Sequence, residues 1–290
     1  MHGVRTIAVV GAGQMGGGIA QVAAVSGFKV LVFDAAQGAL ARCQENHRKR
    51  LGREVEKGRM TQAEAEAALS QIHYVDALDK ITGADIVIEA VVEDAGVKRD
   101  LFARLAGMFT GEQILASNTS SISITDIAAA AGSAAAPRVI GMHFFNPVPV
   151  MKLVEVIRGL QTSPETTERV LELAKAMGKT PIPANDRPGF VSNRVLMPMI
   201  NEAFYAWMEG VAEPQHIDEI MKLGCNFPMG PLRLADFIGL DTCVHIMNVL
   251  ADGLNSERYR PCPLLKQLVT AGRLGDKTGR GVYEYSQNQK

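Results

Sequence analysis

The feature that most constrains the fold is an apolar strand that ends in the pattern Gly-x-Gly-x-x-Gly and is followed by a helix, a second strand and an acid. The first strand covers residues 6–10, and the acid is Asp34. Gly11 allows a tight turn, Gly13 lets a ligand approach the backbone, and Gly16 lets the helix pack closely on the sheet. These elements in register predict a parallel βαβ unit.

The same unit predicts a dinucleotide site. The N-terminus of its helix presents N–H groups and the positive end of the helix dipole to a pyrophosphate. Asp34 follows Gly11 by 23 residues, so its carboxylate would accept hydrogen bonds from the adenosine ribose hydroxyls. That carboxylate would repel the 2′-phosphate of NADP, and residues 35–38 contain no arginine to accept one. The sequence therefore favours NAD as the cofactor.

Strands and helices alternate through the first two-thirds of the chain, with an additional helical segment at about residues 36–71. This pattern predicts an α/β fold class, a Rossmann-like doubly wound sheet domain over residues 1–186. A Pro/Gly break at residues 185–190 indicates the domain boundary. The remainder, residues 187–290, reads as an all-helical C-terminal domain. Its many apolar positions favour packing against the first domain and against a second copy of the chain.

One histidine and one carboxylate lie inside the almost wholly apolar stretch 138–157. If its two extended runs pair antiparallel about Pro149, His143 and Glu155 face each other about 5 Å apart. A buried carboxylate is costly unless it is hydrogen-bonded, and His143 is the obvious partner. Glu155 would then fix the tautomer of the ring, as a general base requires. The alternative is a core histidine satisfied by a structural glutamate.

A polar cluster, residues 117–121, follows the strand at 114–116. Polar residues at the carboxyl end of a strand lie where open α/β sheets bind ligands. The structural alternative is that Ser121 or Ser123 caps the helix at 124–130.

A basic stretch lies within the additional helical segment. It is either a solvent-exposed helix face or a landing site for ligand phosphates, and its members are Arg48, Lys49, Arg50, Arg53 and Lys57.

Composition excludes several other classes of protein. The net charge is −1, so no global field attracts nucleic acid or an anionic membrane. No apolar run approaches the roughly 18 residues that span a bilayer. The four cysteines are scattered without metal-ligand spacing, and no secretory signal precedes the first strand. We expect a cytoplasmic protein with free thiols and no metal site.

With these segments in view, the chain resembles the L-3-hydroxyacyl-CoA dehydrogenase family over essentially its whole length. It looks most like the single-function 3-hydroxybutyryl-CoA dehydrogenases of bacteria. The matching segments are residues 117–121, 143–155, 188–194, 221–224, 228–231 and 277–281.

The resemblance implies NAD-dependent, reversible oxidation of an (S)-3-hydroxyacyl-CoA, 3-hydroxybutyryl-CoA in particular, to the 3-oxoacyl-CoA. It implies that His143 and Glu155 form the catalytic pair, that Ser120 and Asn193 contact the reacting oxygens of the substrate, and that the helical domain forms a homodimer. The implied NAD contacts are Gly11, Gly13, Gln14, Met15, Gly16, Asp34, Glu93, Lys98, Ser120 and Asn146. The implied coenzyme A contacts, which fit the family less closely, are Arg50, Arg53 and Lys57.

Two other functions stay open. A dehydrogenase of a free 3-hydroxy acid shares the two-domain plan, but such families usually rely on a catalytic lysine on the long interdomain helix. No lysine occurs between Gly189 and Glu209. A crystallin-like protein that binds NADH without turnover is the second alternative. What argues against it is the intact set of Ser120, His143, Glu155 and Asn193.

Overall fold

The computed structural model describes residues 3–285. The chain divides into two compact units, Met1–Arg187 and Pro188–Lys290. The division follows Arg187, one residue beyond the end of the predicted first domain.

The first unit contains an eight-stranded sheet with the strand order β3-β2-β1-β4-β5-β6-β7-β8. All neighbouring strands pair in parallel except β6 and β7, which are antiparallel. The predicted Rossmann-like, doubly wound arrangement is therefore confirmed. The strands are β1 (Thr6–Val10), β2 (Lys29–Phe33), β3 (Ile72–Val75), β4 (Ile86–Glu89), β5 (Ile114–Ser117), β6 (Val139–Phe144), β7 (Leu153–Arg158) and β8 (Thr180–Asn185).

Six α-helices connect these strands: α1 (Gln14–Val25), α2 (Ala39–Glu56), α3 (Gln62–Gln71), α4 (Ala95–Met108), α5 (Ile124–Ala131) and α6 (Pro164–Ala176). In the central strands β1 and β4, residues 7–10 and 86–88 are consecutive apolar residues, as expected for a parallel sheet that helices cover on both faces. At the start of α3 the Glu64 N–H donates to Thr61 Oγ1 at 3.2 Å, and Glu64 Oε2 accepts from the Thr61 N–H at 2.8 Å. This capping box fixes the turn between α2 and α3.

Strand β3 and helix α6 were not predicted from the sequence. Strand β3 has only four residues and forms by pairing with Val30 to Phe33 of β2. Helix α6 begins after Ser163, whose hydroxyl accepts the Thr166 N–H at 3.1 Å, and it buries Val170 and Leu173 on the sheet.

The second unit is helical, as predicted, with its own apolar core. Its helices are α7 (Ser192–Met208), α8 (Pro214–Cys225), α9 (Pro231–Ile238), α10 (Leu240–Gly253) and α11 (Pro263–Thr270). The first helix begins at Ser192 rather than at Gly189, because Gly189 and Phe190 have positive φ angles of 74° and 51°.

Within residues 3–285, no individual helix combines the length and the apolar character that a membrane crossing requires. Helices α9 and α10 meet that criterion only when taken together, and they meet at an angle of 97°.

Candidate functional site

The glycine loop after β1 has the geometry of a phosphate cradle. A Cβ atom on Gly16 would overlap the carbonyl oxygen of Gly11, and one on Gly11 would overlap the carbonyl oxygen of Ala90. No atom lies within 4 Å of the corresponding position on Gly13, so the backbone there is open to a ligand. Helix α1 begins at Gln14 and no side chain caps its N-terminus. The backbone N–H groups of this turn therefore suit a pyrophosphate.

Asp34 lies at the end of β2 and is held against the glycine loop. Its Oδ2 accepts the N–H of Ala12 at 2.6 Å, and its Oδ1 accepts the N–H of Ala36 at 2.7 Å. Each carboxylate oxygen has a further lone pair that can accept a ribose hydroxyl. A cavity of about 500 Å³ lies beside Asp34 and the loop. These residues fit the adenosine half of a dinucleotide.

Three polar residues of α2 that the cofactor argument did not consider also line this cavity. Arg42, Asn46 and Arg50 follow one another at intervals of four residues, which places them on one face of the helix. Residues 35–38 contain no arginine, and Arg42 and Arg50 line the cavity from the helix that follows them. The four-residue spacing of Arg42, Asn46 and Arg50 is the sequence pattern that would have predicted a shared polar face on this helix.

His47 ties α2 to the first turn of α1 from behind the cavity. Its Nε2 donates to the carbonyl oxygen of Gly17 at 2.7 Å, because that oxygen can only accept. Its Nδ1 therefore accepts from the Tyr74 hydroxyl at 2.6 Å. The ring is wholly buried, and burial lowers the pKa of His47. A neutral His47 with a fixed tautomer thus supports the phosphate-binding turn.

Glu93 is joined to the polar cluster that follows β5. Its Oε1 accepts from the hydroxyl of Thr119 at 2.6 Å and from the N–H groups of Ser120 and Ser121 at 2.8 and 3.0 Å. Burial raises the pKa of the Glu93 carboxyl, but Lys98 and these hydrogen bonds together hold it below its ordinary value. The structure thus brings together the predicted residues Glu93, Lys98 and Ser120.

Lys98 is buried between two carboxylates, and its pairing with Glu89 was not predicted from the sequence. Its Nζ lies 2.5 Å from Glu89 Oε1 and 3.4 Å from Glu93 Oε2. Glu89 Oε2 also accepts from the Ser117 hydroxyl at 2.6 Å. Ser123, rather than Ser121, caps α5 by accepting the N–H of Asp126.

His143 and Glu155 face each other across β6 and β7, as the sequence predicts. His143 Nδ1 lies 2.8 Å from Glu155 Oε2, and both side chains are buried. Because a carboxylate only accepts, Nδ1 is the donor, and Nε2 is then the acceptor of the neutral ring. Strands β1, β4, β5 and β6 are parallel, so their carboxyl ends lie on the same side of the sheet. His143 near the end of β6 therefore lies on the side that carries the glycine loop.

The loop between β6 and β7 is anchored on two sides. Gln14 Nε2 donates to Asn146 Oδ1 at 2.9 Å, which joins this loop to the start of α1. Lys179, which is buried, donates to the carbonyl oxygens of Val148 and Met151 at 2.5 and 2.9 Å. The predicted cofactor residues Gln14 and Asn146 are therefore direct neighbours.

A second cavity, of about 700 Å³, contains the predicted coenzyme A contacts. Arg50, Arg53 and Lys57 line it from one face of α2, at spacings of three and four residues. Lys152 and Arg59, which the sequence analysis did not select, line it as well. The concentration of cations suits a ligand that carries several phosphates.

Two predicted site residues lie outside these groups. Met15 packs partly buried against the core of the first unit. Asn193 is the second residue of α7, in the second unit. Their contacts with cofactor and substrate stay predictions.

Comparison with known proteins places the chain in a family. Residues 6–187 match the model for the 3-hydroxyacyl-CoA dehydrogenase NAD binding domain, and residues 189–285 match the model for the 3-hydroxyacyl-CoA dehydrogenase C-terminal domain.

Individual relatives agree with these matches. A probable 3-hydroxybutyryl-CoA dehydrogenase of Deinococcus radiodurans is 58% identical over 96% of this chain and 99% of its own length. One from Bacillus subtilis is 55% identical over 98% of both chains. The crystal structure of an (S)-3-hydroxybutyryl-CoA dehydrogenase from Ralstonia eutropha is 49% identical, covers 98% of this chain and 100% of that one, and superposes with a TM-score of 0.95. The chain therefore belongs to the 3-hydroxyacyl-CoA dehydrogenase family, NAD-dependent oxidoreductases that act on a CH–OH group.

Proposed function

We propose that the chain oxidises (S)-3-hydroxybutyryl-CoA to acetoacetyl-CoA, reversibly, with His143 as the general base and Glu155 as its partner. The observation that carries the proposal is the 2.8 Å contact between His143 Nδ1 and Glu155 Oε2. The pair is buried on the side of the sheet that carries the glycine loop. The names of the relatives support the choice of a four-carbon acyl group.

In the oxidative direction, His143 Nε2 takes the proton from the 3-hydroxyl group of the substrate. NAD supplies the acceptor for the hydride that leaves C3. Glu155 keeps Nδ1 protonated and stabilises the positive charge that develops on the ring. Ser120 and Asn193 orient the hydroxyl and the thioester carbonyl by hydrogen bonds, which keeps the reacting atoms aligned.

We also assign the 700 Å³ cavity to the nucleotide end of coenzyme A. Coenzyme A carries three phosphates, and Arg50, Arg53 and Lys57 form a row of cations on one wall of this cavity. Guanidinium groups match phosphate oxygens with paired hydrogen bonds. A free 3-hydroxy acid carries a single carboxylate, which can engage only part of this row of cations, so the cavity favours the thioester over that alternative.

The helical unit is proposed to form a homodimer. Several large apolar side chains on its surface are exposed, among them Val195 at 69%, Ile220 at 62% and Leu223 at 77%. Ile220 and Leu223 lie three residues apart on α8 and therefore share one face, and adjoining exposed apolar groups are typical of an interface between subunits. Sedimentation of the purified chain measures the oligomeric state directly. The location in the cytoplasm stays a prediction, with which four free thiols are compatible.

The experiment that tests the function is NADH oxidation with acetoacetyl-CoA, compared with free acetoacetate and with longer 3-oxoacyl-CoA thioesters. We expect turnover of acetoacetyl-CoA and none of the free acid. Because one methylene changes discrimination by only about 1–3 kcal/mol, rates across the thioester series define the preferred chain length. Activity on the free acid alone supports the hydroxy-acid alternative, and NADH binding without any turnover supports the crystallin-like one.

A further inference from the structure

Helix α2 contributes to the walls of two cavities in the first unit. One is the cavity of about 500 Å³ beside Asp34, and the other is the cavity of about 700 Å³ assigned to coenzyme A. Two side chains line both of them, Gln14 and Arg50. The amide of Gln14 is already engaged, since its Nε2 donates to Asn146 Oδ1 at 2.9 Å. Arg50 is therefore the charged group common to the two cavities.

The cations along α2 line different cavities, and Arg50 lies where one cavity gives way to the other. Arg42 lines only the cavity beside Asp34, whereas Arg53 and Lys57 line only the other one. At 1.5 Å per residue, the row from Arg42 to Lys57 extends over roughly 22 Å. Arg50 lies near its middle, where a ligand in either cavity can reach it.

The guanidinium of Arg50 is chemically able to serve two ligands at once. It carries five N–H donors in a planar fork, so its two edges can bind different acceptors. In the described part of the chain it forms no ion pair with a carboxylate, and its side chain is half-buried. The charge of Arg50 also acts on the cofactor side. Burial is the main cause of the lowered pKa of His47, and the positive charge of Arg50 lowers that pKa further.

We propose that Arg50 contacts both the adenosine half of NAD and the phosphates of the acyl-CoA, and thereby couples the binding of the two ligands. The inference rests on the proposed function, which places an acyl-CoA in the second cavity. Whichever ligand binds first orders the Arg50 side chain and bears the loss of its rotational freedom. The second ligand then meets an ordered guanidinium and binds more tightly.

The expected coupling is modest and measurable. Immobilising one rotamer-rich side chain corresponds to a change in affinity of about two- to tenfold. By thermodynamic linkage, the thioester must tighten NADH binding by the same factor by which NADH tightens thioester binding.

The test is a binding cycle with NADH and 3-hydroxybutyryl-CoA, which are both in the reduced state and do not react with each other. The dissociation constant of NADH is measured by its fluorescence with and without saturating thioester. The dissociation constant of the thioester is measured calorimetrically with and without NADH. The wild-type chain is compared with Arg50→Gln and, as matched controls on the same helix, with Arg42→Gln and Arg53→Gln.

We expect Arg50→Gln to weaken both ligands and to reduce the coupling factor to about one. Arg42→Gln should weaken NADH alone, Arg53→Gln should weaken the thioester alone, and both should keep the wild-type coupling factor. Arg50→Lys, which keeps the charge and lacks the fork, should retain more affinity than Arg50→Gln and still lose the coupling.

A wild-type coupling factor of one overturns the proposal, as does wild-type coupling in Arg50→Gln or an effect of that substitution on one ligand only. Failure of the proposed function gives a different result, because the wild-type chain then does not bind the thioester at all.

Discussion

The substitution Glu155→Gln separates a catalytic role of the His143–Glu155 pair from a purely structural one. It keeps the size of the side chain and removes its charge. His143 Nδ1 and Glu155 Oε2 are 2.8 Å apart, and Glu155 is 3% exposed, so water does not replace the lost interaction. A hydrogen bond to a charged group contributes about 1.5–3 kcal/mol.

Most of that contribution is expected in the transition state, because the ring gains its positive charge only when it takes the substrate proton. At 1.36 kcal/mol for each factor of ten, kcat should fall by about 10- to 150-fold. The folded state should not suffer, since removing a buried carboxylate also removes its desolvation cost. We therefore expect a large loss of kcat with an unchanged or slightly higher Tm.

The assay is kcat for 3-hydroxybutyryl-CoA with saturating NAD, together with Tm from calorimetry on the same samples. Glu168→Gln is the matched control, because Glu168 is exposed on α6 of the same unit, and it should change neither quantity. A wild-type kcat in Glu155→Gln with a lower Tm would show that the pair is structural, and it would refute the reasoning.

Three further predictions concern the cofactor site. Asp34→Asn should lower the preference for NADH over NADPH, measured as the ratio of kcat/KM values, by at least about tenfold. The reason is that a carboxylate and a phosphate about 4 Å apart repel by roughly 4 kcal/mol before screening. An unchanged ratio would remove Asp34 from the ribose site. Gly13→Ala should keep the wild-type Tm and weaken NADH binding, whereas Gly16→Ala should lower Tm, because only the second Cβ meets backbone; equal effects on Tm would contradict this geometry. The pKa of His47 is lower in the folded chain than in the unfolded one, so its contribution to stability is full above about pH 6.5 and is lost as the pH falls below that value. The Tm of His47→Gln should therefore fall less than that of the wild-type chain between about pH 7 and pH 5. An equal fall in both proteins would show that His47 does not titrate in this way.

Local patterns made much of the site predictable from the sequence. The β6–β7 pairing could be predicted because two apolar runs flank a proline turn, and the register about Pro149 places His143 opposite Glu155. The βαβ unit could be predicted because each glycine has a steric role, and at Gly11 and Gly16 a Cβ atom would overlap neighbouring backbone.

Contacts between distant parts of the chain were not predictable in the same way. The His47–Gly17 hydrogen bond spans 30 residues, and it depends on how α2 crosses α1 rather than on any local motif. The Lys98–Glu89 pair is buried, although charged residues of this kind usually predict an exposed surface. Arg42 could not be predicted from the residues next to Asp34, because it reaches the cavity only through the face that α2 turns toward it.

The most direct test of the central claim is kcat for 3-hydroxybutyryl-CoA in His143→Gln, with the dissociation constant of NADH measured on the same preparation. If His143 Nε2 takes the substrate proton, kcat falls by about 10²–10⁴-fold and the affinity for NADH changes little. A variant that turns over at the wild-type rate would contradict the assignment of His143 as the base.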